Sequence, residues 1–131
     1  MCNYVISINA NKTQCIGKLK QEIINCLNVP FVCGKVYLYP GVIKHVKKSH
    51  HCCYQNYLIL LPDILKSPDY VGINQIHTDS IELVKIYQDV ILVSIAKNKD
   101  GFLFVSSLYE INMKKVNKRL KSGRLVNVTV G

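Results

Sequence analysis

The feature that most constrains the fold is residues 35–57, where a strand pattern changes to a helix pattern. Val36 and Leu38 alternate with two tyrosines, a composition that favours a pleated strand. Pro40 ends that strand because it has no backbone N–H for a ladder. From Val42 onward the apolar positions recur every three or four residues, which predicts an amphipathic helix. Its apolar stripe consists of Ile43, Val46, His50, Cys53, Tyr54 and Tyr57.

Charge narrows the classes of partner. The chain has 17 Lys and Arg residues against 8 Asp and Glu, a formal net charge of +9. Such an excess favours a polyanion, either nucleic acid or an anionic membrane surface. The longest apolar run, residues 57–61, is far too short to span a bilayer, and no membrane contact is predicted. The N-terminus lacks the basic residues of a signal peptide, so we expect a cytoplasmic protein. The length fits a single domain, residues 1–131.

Cysteine usage is consistent with that compartment. The six cysteines all lie in the first half of the chain, and without a signal peptide they are expected to be free thiols. His50 to Cys53 form the run HHCC, whose residue types suit a metal. Successive helical residues point about 100° apart, so these four side chains cannot converge on one ion. No second Cys/His pair follows at a zinc-finger spacing, so neither a metal nor a cofactor is predicted.

The other elements of the first half are assigned by periodicity. Residues 16–27 have the apolar spacing of an amphipathic helix. Residues 58–70 are expected to form a second, short helix, and residues 72–79 a polar connector. An apolar patch at residues 4–8 fits a short strand.

The second half reads as a strand meander. Strands are predicted at residues 80–87, 90–97 and 102–111, with a tight turn at Asp100-Gly101. A basic helix at residues 112–121 and an edge strand at residues 126–130 follow. The order predicts an α+β fold, with N-terminal helices packed on one face of a small antiparallel sheet and a basic C-terminal helix.

Strand parity assigns side chains to the two faces of that sheet. Ser107 and Tyr109 share a face because they are two residues apart on one strand. Glu82 and Lys85 have opposite parity, so at most one of them joins that face unless a bulge intervenes. Because the helices are expected to cover one face only, the other is available to a ligand.

Five stretches together resemble a known group of nucleases. They are IGKLKQEII, VYLYPGVIKHVKKSH, LPDILKSPDYVG, SIELVK and SSLYEINMKKVNKRLKSGRL, and they span residues 16–125. In their order and spacing the chain resembles the phage-associated barnase/EndoU/colicin/RelE-like nucleases. The resemblance implies helices on a small antiparallel sheet and metal-independent cleavage of RNA, often by a toxin. A toxin of +9 charge would suit an acidic immunity or antitoxin protein, and tRNA is one candidate substrate.

The resemblance also implies catalytic side chains. The helix histidine of the group corresponds to His45, with His50 as its companion. The strand lysine corresponds to Lys85. The late-strand hydroxyl corresponds to Ser107, where a threonine is common in the group, and the tyrosine corresponds to Tyr109.

These residues suit the chemistry of RNA cleavage without a metal. That reaction needs a base for the 2′-OH proton, donors for the charged phosphorane and an acid for the leaving oxygen. We expect His45 to act as base or acid and Lys85 to stabilise the phosphate, with hydrogen bonds from Ser107 and Tyr109. Glu82 either holds a neighbouring lysine in place or is the general base itself.

Phosphate contacts are expected from two basic helices. The RNA-binding candidates are Lys44, Lys48, Lys114, Lys115, Lys118, Arg119 and Arg124. No acidic residue follows Glu110, so the charge of the C-terminal helix is uncompensated in the local sequence.

Alternatives remain for one residue and for the whole chain. His50 lies on the apolar stripe and is expected to be mostly buried, as a structural histidine or as part of the site. His45 is expected near the face of Ser107 and Tyr109, at a cleft lined by Lys85 or Arg124. The chain as a whole also fits an RNA-binding module without catalysis, or a phage-associated protein-interaction domain.

Overall fold

The computed structural model describes residues 6–9, 11–27, 33–74 and 79–128. Seven strands form one mixed sheet: β1 (Gln14–Leu19), β2 (Gly34–Leu38), β3 (Tyr70–Ile73), β4 (Ser80–Ile86), β5 (Val90–Lys97), β6 (Leu103–Glu110) and β7 (Leu125–Asn127). The helices are α1 (Gln21–Ile24), α2 (Pro40–Ser49), α3 (His51–Asn56), α4 (Leu61–Lys66) and α5 (Met113–Ser122). A 3₁₀ turn, Leu58–Leu60, precedes α4.

The strand order is β1-β2-β6-β5-β4-β3-β7. The three strands β4, β5 and β6 form the predicted meander. β2 and β6 pair in parallel, with Val36 opposite Leu103, whereas the other neighbours are antiparallel. The expectation of an antiparallel sheet is therefore confirmed for five of the six strand pairs and wrong for the pair of β2 with β6. The parallel pair joins strands that are distant in sequence, and local periodicity carries no information about such a contact.

The helix predicted at residues 16–27 is mostly wrong. The segment begins as β1, and α1 has only four residues. A bulge between Cys15 and Gly17 shifts the pairing of β1 with β2. Because of this bulge, Ile16 and Leu19 are both buried in the same core although they are three residues apart. A bulged strand thus imitated the spacing of a helix.

Two other short segments differ from expectation. The connector predicted at residues 72–79 contains the end of β3, which lies between β4 and β7. Residues 75–78 lie outside the described part of the chain. The C-terminal edge strand is β7, which pairs with β3, and residues 129–130 of the predicted strand are not described. In the patch at residues 4–8, the described residues 6–8 form no strand.

The helices α2, α3 and α4 form a layer on one face of the sheet. Pro40 is at the start of α2, directly after β2. The predicted stripe is buried from Ile43 to Tyr57 except at His50, where the backbone leaves helical geometry (φ −137°, ψ 59°) and α2 gives way to α3. The strand residues that pack under this layer are Ile81, Leu83, Ile91, Val93, Ile95, Val105 and Leu108.

Helix α5 covers part of the opposite face, so the expectation of a single covered face was wrong. Val116 of α5 packs with Val84, Leu92 and Leu125 of the sheet. The side chain of Asn112 caps the helix by accepting a hydrogen bond from the Lys115 N–H at 2.8 Å. Gly123, with φ 82°, ends it in the left-handed conformation. Among the described residues, no helix is long and apolar enough to cross a membrane.

Gly72 provides a test of this packing. A Cβ at this position would collide with the backbone oxygen of Arg124 and lie 2.9 Å from Leu125 Cδ2. We expect Gly72→Ala to lower the free energy of unfolding by about 1–3 kcal/mol, since overpacking forces the backbone to shift. Gly41→Ala is the matched control, because nothing lies within 4 Å of its Cβ. Urea denaturation measures both, and equal stabilities would contradict the close approach of β7 to β3.

Candidate active site

Glu82 lies in the centre of β4, on the face of the sheet opposite the layer of α2, α3 and α4. We call this the Glu82 face. Its carboxylate side chain is only 2% exposed. Arg124 donates two hydrogen bonds to Glu82 Oε1, from Nη2 at 2.9 Å and from Nε at 3.1 Å. Arg119 Nη1 lies 3.8 Å from Glu82 Oε2.

The two arginines come from the C-terminal segment. Arg119 lies in the last turn of α5, and Arg124 lies between that helix and β7. The sequence predicted a lysine as the partner of Glu82, or a role for Glu82 as general base. The partners are arginines, whose planar fork satisfies a buried carboxylate better than a lysine ammonium. The pairing joins residues 42 positions apart, so no local sequence signal could have indicated it.

A row of paired residues crosses the sheet at Glu82. Gly72, Glu82, Ser94 and Ser107 are successive partners across β3, β4, β5 and β6. Ser107 is two strands from Glu82, a backbone distance of about 10 Å. The hydroxyl of Ser107 therefore shares a face with the acid and its arginines.

A bulge at Ser106 determines which residues of β6 join that face. Ser94 pairs with Ser107 but the next residue, Ile95, pairs with Val105, so Ser106 is extra. Ser107 and Tyr109 share the Glu82 face, as parity predicted. Val105 is on the opposite face, under the helical layer, whereas simple alternation would have placed it with Ser107.

Two histidines approach this face at its edge. The rings of His50 and Tyr109 have centroids 5.9 Å apart, and those of His45 and His50 are 5.7 Å apart. His50 is half-buried rather than mostly buried, because the helix is interrupted at this residue, between α2 and α3. His45 is exposed, and its ring contacts His50 but makes no described ring contact with Tyr109. His50 is therefore the histidine nearer to the sheet.

Lys85 is not part of this arrangement. Its Nζ donates a hydrogen bond to the backbone oxygen of Ser67 at 2.7 Å and contacts Ser67 Oγ at 3.4 Å. Ser67 follows α4, in the helical layer. Lys85 is three residues after Glu82, and β4 has no bulge in its pairing with β5, so the lysine points to the other face. The cleft near His45 was expected to be lined by Lys85 or Arg124. Lys85 lies on the other face, and the cleft that Arg124 lines includes neither His45 nor His50.

The predicted phosphate-binding residues divide into two groups. Lys44, Lys48 and Lys114 are exposed. The other four, Lys115, Lys118, Arg119 and Arg124, line a surface cleft of about 420 Å³ together with Ser122. Arg119 Nη1 is buried there without a hydrogen-bond acceptor among the described residues. Its charge and that of Arg124 are partly compensated by Glu82, whereas the lysines form no ion pair with any described residue.

One group of side chains approaches a metal-ligand arrangement. Ligand atoms of Cys52, Asp89 and Glu110 lie within 4.8 Å of one another. Asp89 already accepts a hydrogen bond from the Tyr57 hydroxyl at 2.7 Å. A hydrogen bond to Glu110 raises the pKa of the exposed Cys52 thiol above its ordinary value. Both of these hydrogen bonds would have to break before the three side chains could hold a metal together.

Comparison with known proteins identifies the family. The family model PBECR3, phage-Barnase-EndoU-ColicinE5/D-RelE like nuclease3, matches residues 13–118. The chain belongs to this nuclease family. No curated protein and no solved structure matches it. The matched part of this PBECR3 nuclease contains Glu82, Ser107, His45 and His50, but it ends one residue before Arg119.

Removing the charge of Glu82 tests the ion pair in the PBECR3 nuclease. Glu82→Gln leaves the two arginines without an anionic partner, and breaking a buried pair typically costs about 3–5 kcal/mol. Since the arginines are 19% and 21% exposed, we expect a loss nearer to the lower end of that range. Glu22→Gln, at an exposed site, should change the free energy of unfolding by less than about 0.5 kcal/mol. Equal urea midpoints for the two variants would show that Glu82 does not hold the C-terminal segment.

Thiol reactivity tests how the nuclease's α3 packs on the core. Burial raises the pKa of the Cys53 thiol to about 11, so about a thousandth of it is thiolate at pH 8. Cys33 is exposed. We expect iodoacetamide to label Cys33 well before Cys53, as followed by mass spectrometry. Labelling of Cys53 should accelerate as the pH rises from 7 to 9, because its thiolate fraction grows with pH. Equal rates at Cys33 and Cys53 would contradict the packing of α3.

Proposed function

We propose that this nuclease is a metal-independent endoribonuclease with its active site on the Glu82 face. The observation that carries the proposal is the buried Glu82, held between Arg119 and Arg124, in one row with the hydroxyl of Ser107. The half-buried His50 lies at the edge of the same face, against Tyr109. Positive charge, a hydroxyl donor and an imidazole are the groups that RNA cleavage without a metal requires.

The proposed reaction is transesterification by the RNA itself. A base removes the proton of the 2′-OH, and the 2′ oxygen forms a bond to the adjacent phosphorus. The bond from phosphorus to the 5′ oxygen breaks, and an acid protonates that oxygen. The products are a 2′,3′-cyclic phosphate and a 5′-OH, so no serine nucleophile is needed.

We assign to the two arginines the stabilisation of the negative charge that develops on the phosphorane. Arg119 Nη1 is itself buried and lies 3.8 Å from Glu82 Oε2, but the side chains of Arg119 and Arg124 are 19% and 21% exposed and line the cleft, where they place positive charge for a phosphate. Glu82 is a positioning residue in this proposal, because its carboxylate is taken up by Arg124 and fixes the guanidinium before substrate arrives. Donors that are held in place need no reorganisation in the transition state, which is a large part of their value.

Proton transfer is assigned to the two histidines. His50 is the first candidate because it is next to Tyr109, and His45 is the second because its ring contacts His50. An imidazole can act as a base in one step and as an acid in another. Lys85 has no role in this proposal, since its ammonium is bound to Ser67 on the other face.

Substrate binding and a biological role extend the proposal. The exposed lysines of α2 and α5, Lys44, Lys48, Lys114, Lys115 and Lys118, would contact phosphates along the strand, whether of tRNA or of another RNA. A toxin role agrees with the family's relation to colicins and RelE. An acidic immunity or antitoxin protein would complement the net charge of +9.

The test is cleavage of total RNA in EDTA, with sequencing of the new ends. We expect the wild-type protein to produce 2′,3′-cyclic phosphate ends. His50→Ala should slow cleavage by about 10²–10⁴-fold, the usual value of one positioned proton-transfer group. His45→Ala should have a smaller effect, and His51→Ala is the control because His51 stacks on Tyr54.

Two outcomes would count against the proposal. Full activity of His50→Ala would remove the imidazole from the mechanism. Salt-dependent RNA binding by the wild-type protein without any cleavage would favour an RNA-binding module instead.

A further inference from the structure

Four aromatic rings gather at one corner of the Glu82 face, where β2 and β6 pair. Tyr37 and Phe102 meet edge to face, with centroids 6.1 Å apart and an interplanar angle of 83°. Tyr39 and Phe104 lie 5.5 Å apart. Tyr37 and Phe104 are direct partners across the two strands, so their side chains share a face. We call these four residues the aromatic corner.

The rings are on the surface rather than in the core. Val36 and Leu38, which alternate with the two tyrosines, are fully buried under the helical layer. Phe102 is 54% exposed, and it is the only exposed phenylalanine or tyrosine among the residues that the structure describes. The other three rings are half-buried. The corner therefore presents apolar ring surface to solvent on the face that bears Ser107 and Glu82.

Two lysines flank the corner. Lys35 shares the face of Tyr37, since they are two residues apart on β2, and Lys18 is its direct partner on β1. Both are exposed, and neither forms an ion pair with a described residue. Like charges directly opposite each other on two strands are destabilising. An anion between them would relieve that repulsion.

We infer that the aromatic corner binds bases of single-stranded RNA, while Lys18 and Lys35 contact phosphates of the same strand. Every base has a flat face that stacks on an aromatic ring, and lysines beside a cluster of rings suit a chain that carries a phosphate next to each base. Phe104 is three residues from Ser107 on β6, about 10 Å away, so a strand bound here continues towards the proposed active site. The identity of the strand as substrate rests on the proposed function, but the binding itself does not.

The chemistry of the corner disfavours other occupants. A duplex hides the faces of its bases in the stack, so it offers the rings no stacking surface. An apolar protein surface would cover the rings, but it would leave the facing lysines without a counter-charge. Single-stranded nucleic acid satisfies both groups at once.

The test is the affinity of a short labelled 2′-O-methyl oligoribonucleotide, measured by fluorescence anisotropy. This probe cannot be cleaved because its 2′ oxygen is blocked, so failure of the nuclease proposal would leave the result interpretable. Loss of one stacked base lowers the affinity by about 5–150-fold. We expect Phe102→Ala and Tyr37→Ala to weaken binding by about tenfold each, and Phe102→Trp to retain it. Ile59→Ala is the matched control, since Ile59 is 56% exposed in the helical layer.

A second probe separates stacking from charge. An oligonucleotide of the same length that lacks its bases should bind the wild-type protein weakly, and Phe102→Ala should not weaken it further. If wild-type protein binds both probes equally, the corner does not recognise bases and the inference fails. It fails equally if Ile59→Ala and Phe102→Ala have the same effect, or if a duplex of the same sequence binds as tightly as the single strand.

Discussion

The buried ion pair of Glu82 with Arg119 and Arg124 is the interaction on which the rest of the site depends. A carboxylate that is 2% exposed in the centre of a sheet is unfavourable by several kcal/mol unless cations accompany it. Both cations come from the segment that follows β6, so α5 and β7 must dock before Glu82 is compensated. Gly72, beside Glu82 in the paired row, makes this possible because it has no side chain to block the backbone of Arg124.

The same pair organises the chemistry of the Glu82 face. It fixes positive charge at one end of a surface that also carries the hydroxyl of Ser107 and, at its edge, the ring contact between His50 and Tyr109. At the other end lies the aromatic corner with its two lysines. Charge that is already in position favours a developing phosphorane without further reorganisation. In the proposed function, the residues that bind RNA, position the arginines and transfer protons thus lie on neighbouring parts of one face.

The elements with strong local patterns were predictable from sequence, and contacts between distant segments were not. The meander and the step from β2 to α2 follow from alternation, turn residues and Pro40. The bulge before Gly17 made a strand look helical, and the bulge at Ser106 placed Val105 and Ser107 on opposite faces. Strand parity correctly placed Glu82 and Lys85 on opposite faces of the sheet. The arginine partners and the gathering of the aromatic rings depend on tertiary packing, which periodicity does not describe.

The central claim is that RNA binds on the Glu82 face, where the proposed cleavage takes place. Nuclear magnetic resonance of the protein with a non-cleavable oligoribonucleotide tests it most directly, by following the backbone amides and the arginine Nε–H groups. The account predicts shifts along β6 and β2 and at the Nε–H groups of Arg119 and Arg124, with α4 unaffected. Shifts confined to the helical layer around Lys66 and Ile59, with the arginine signals unchanged, would contradict it.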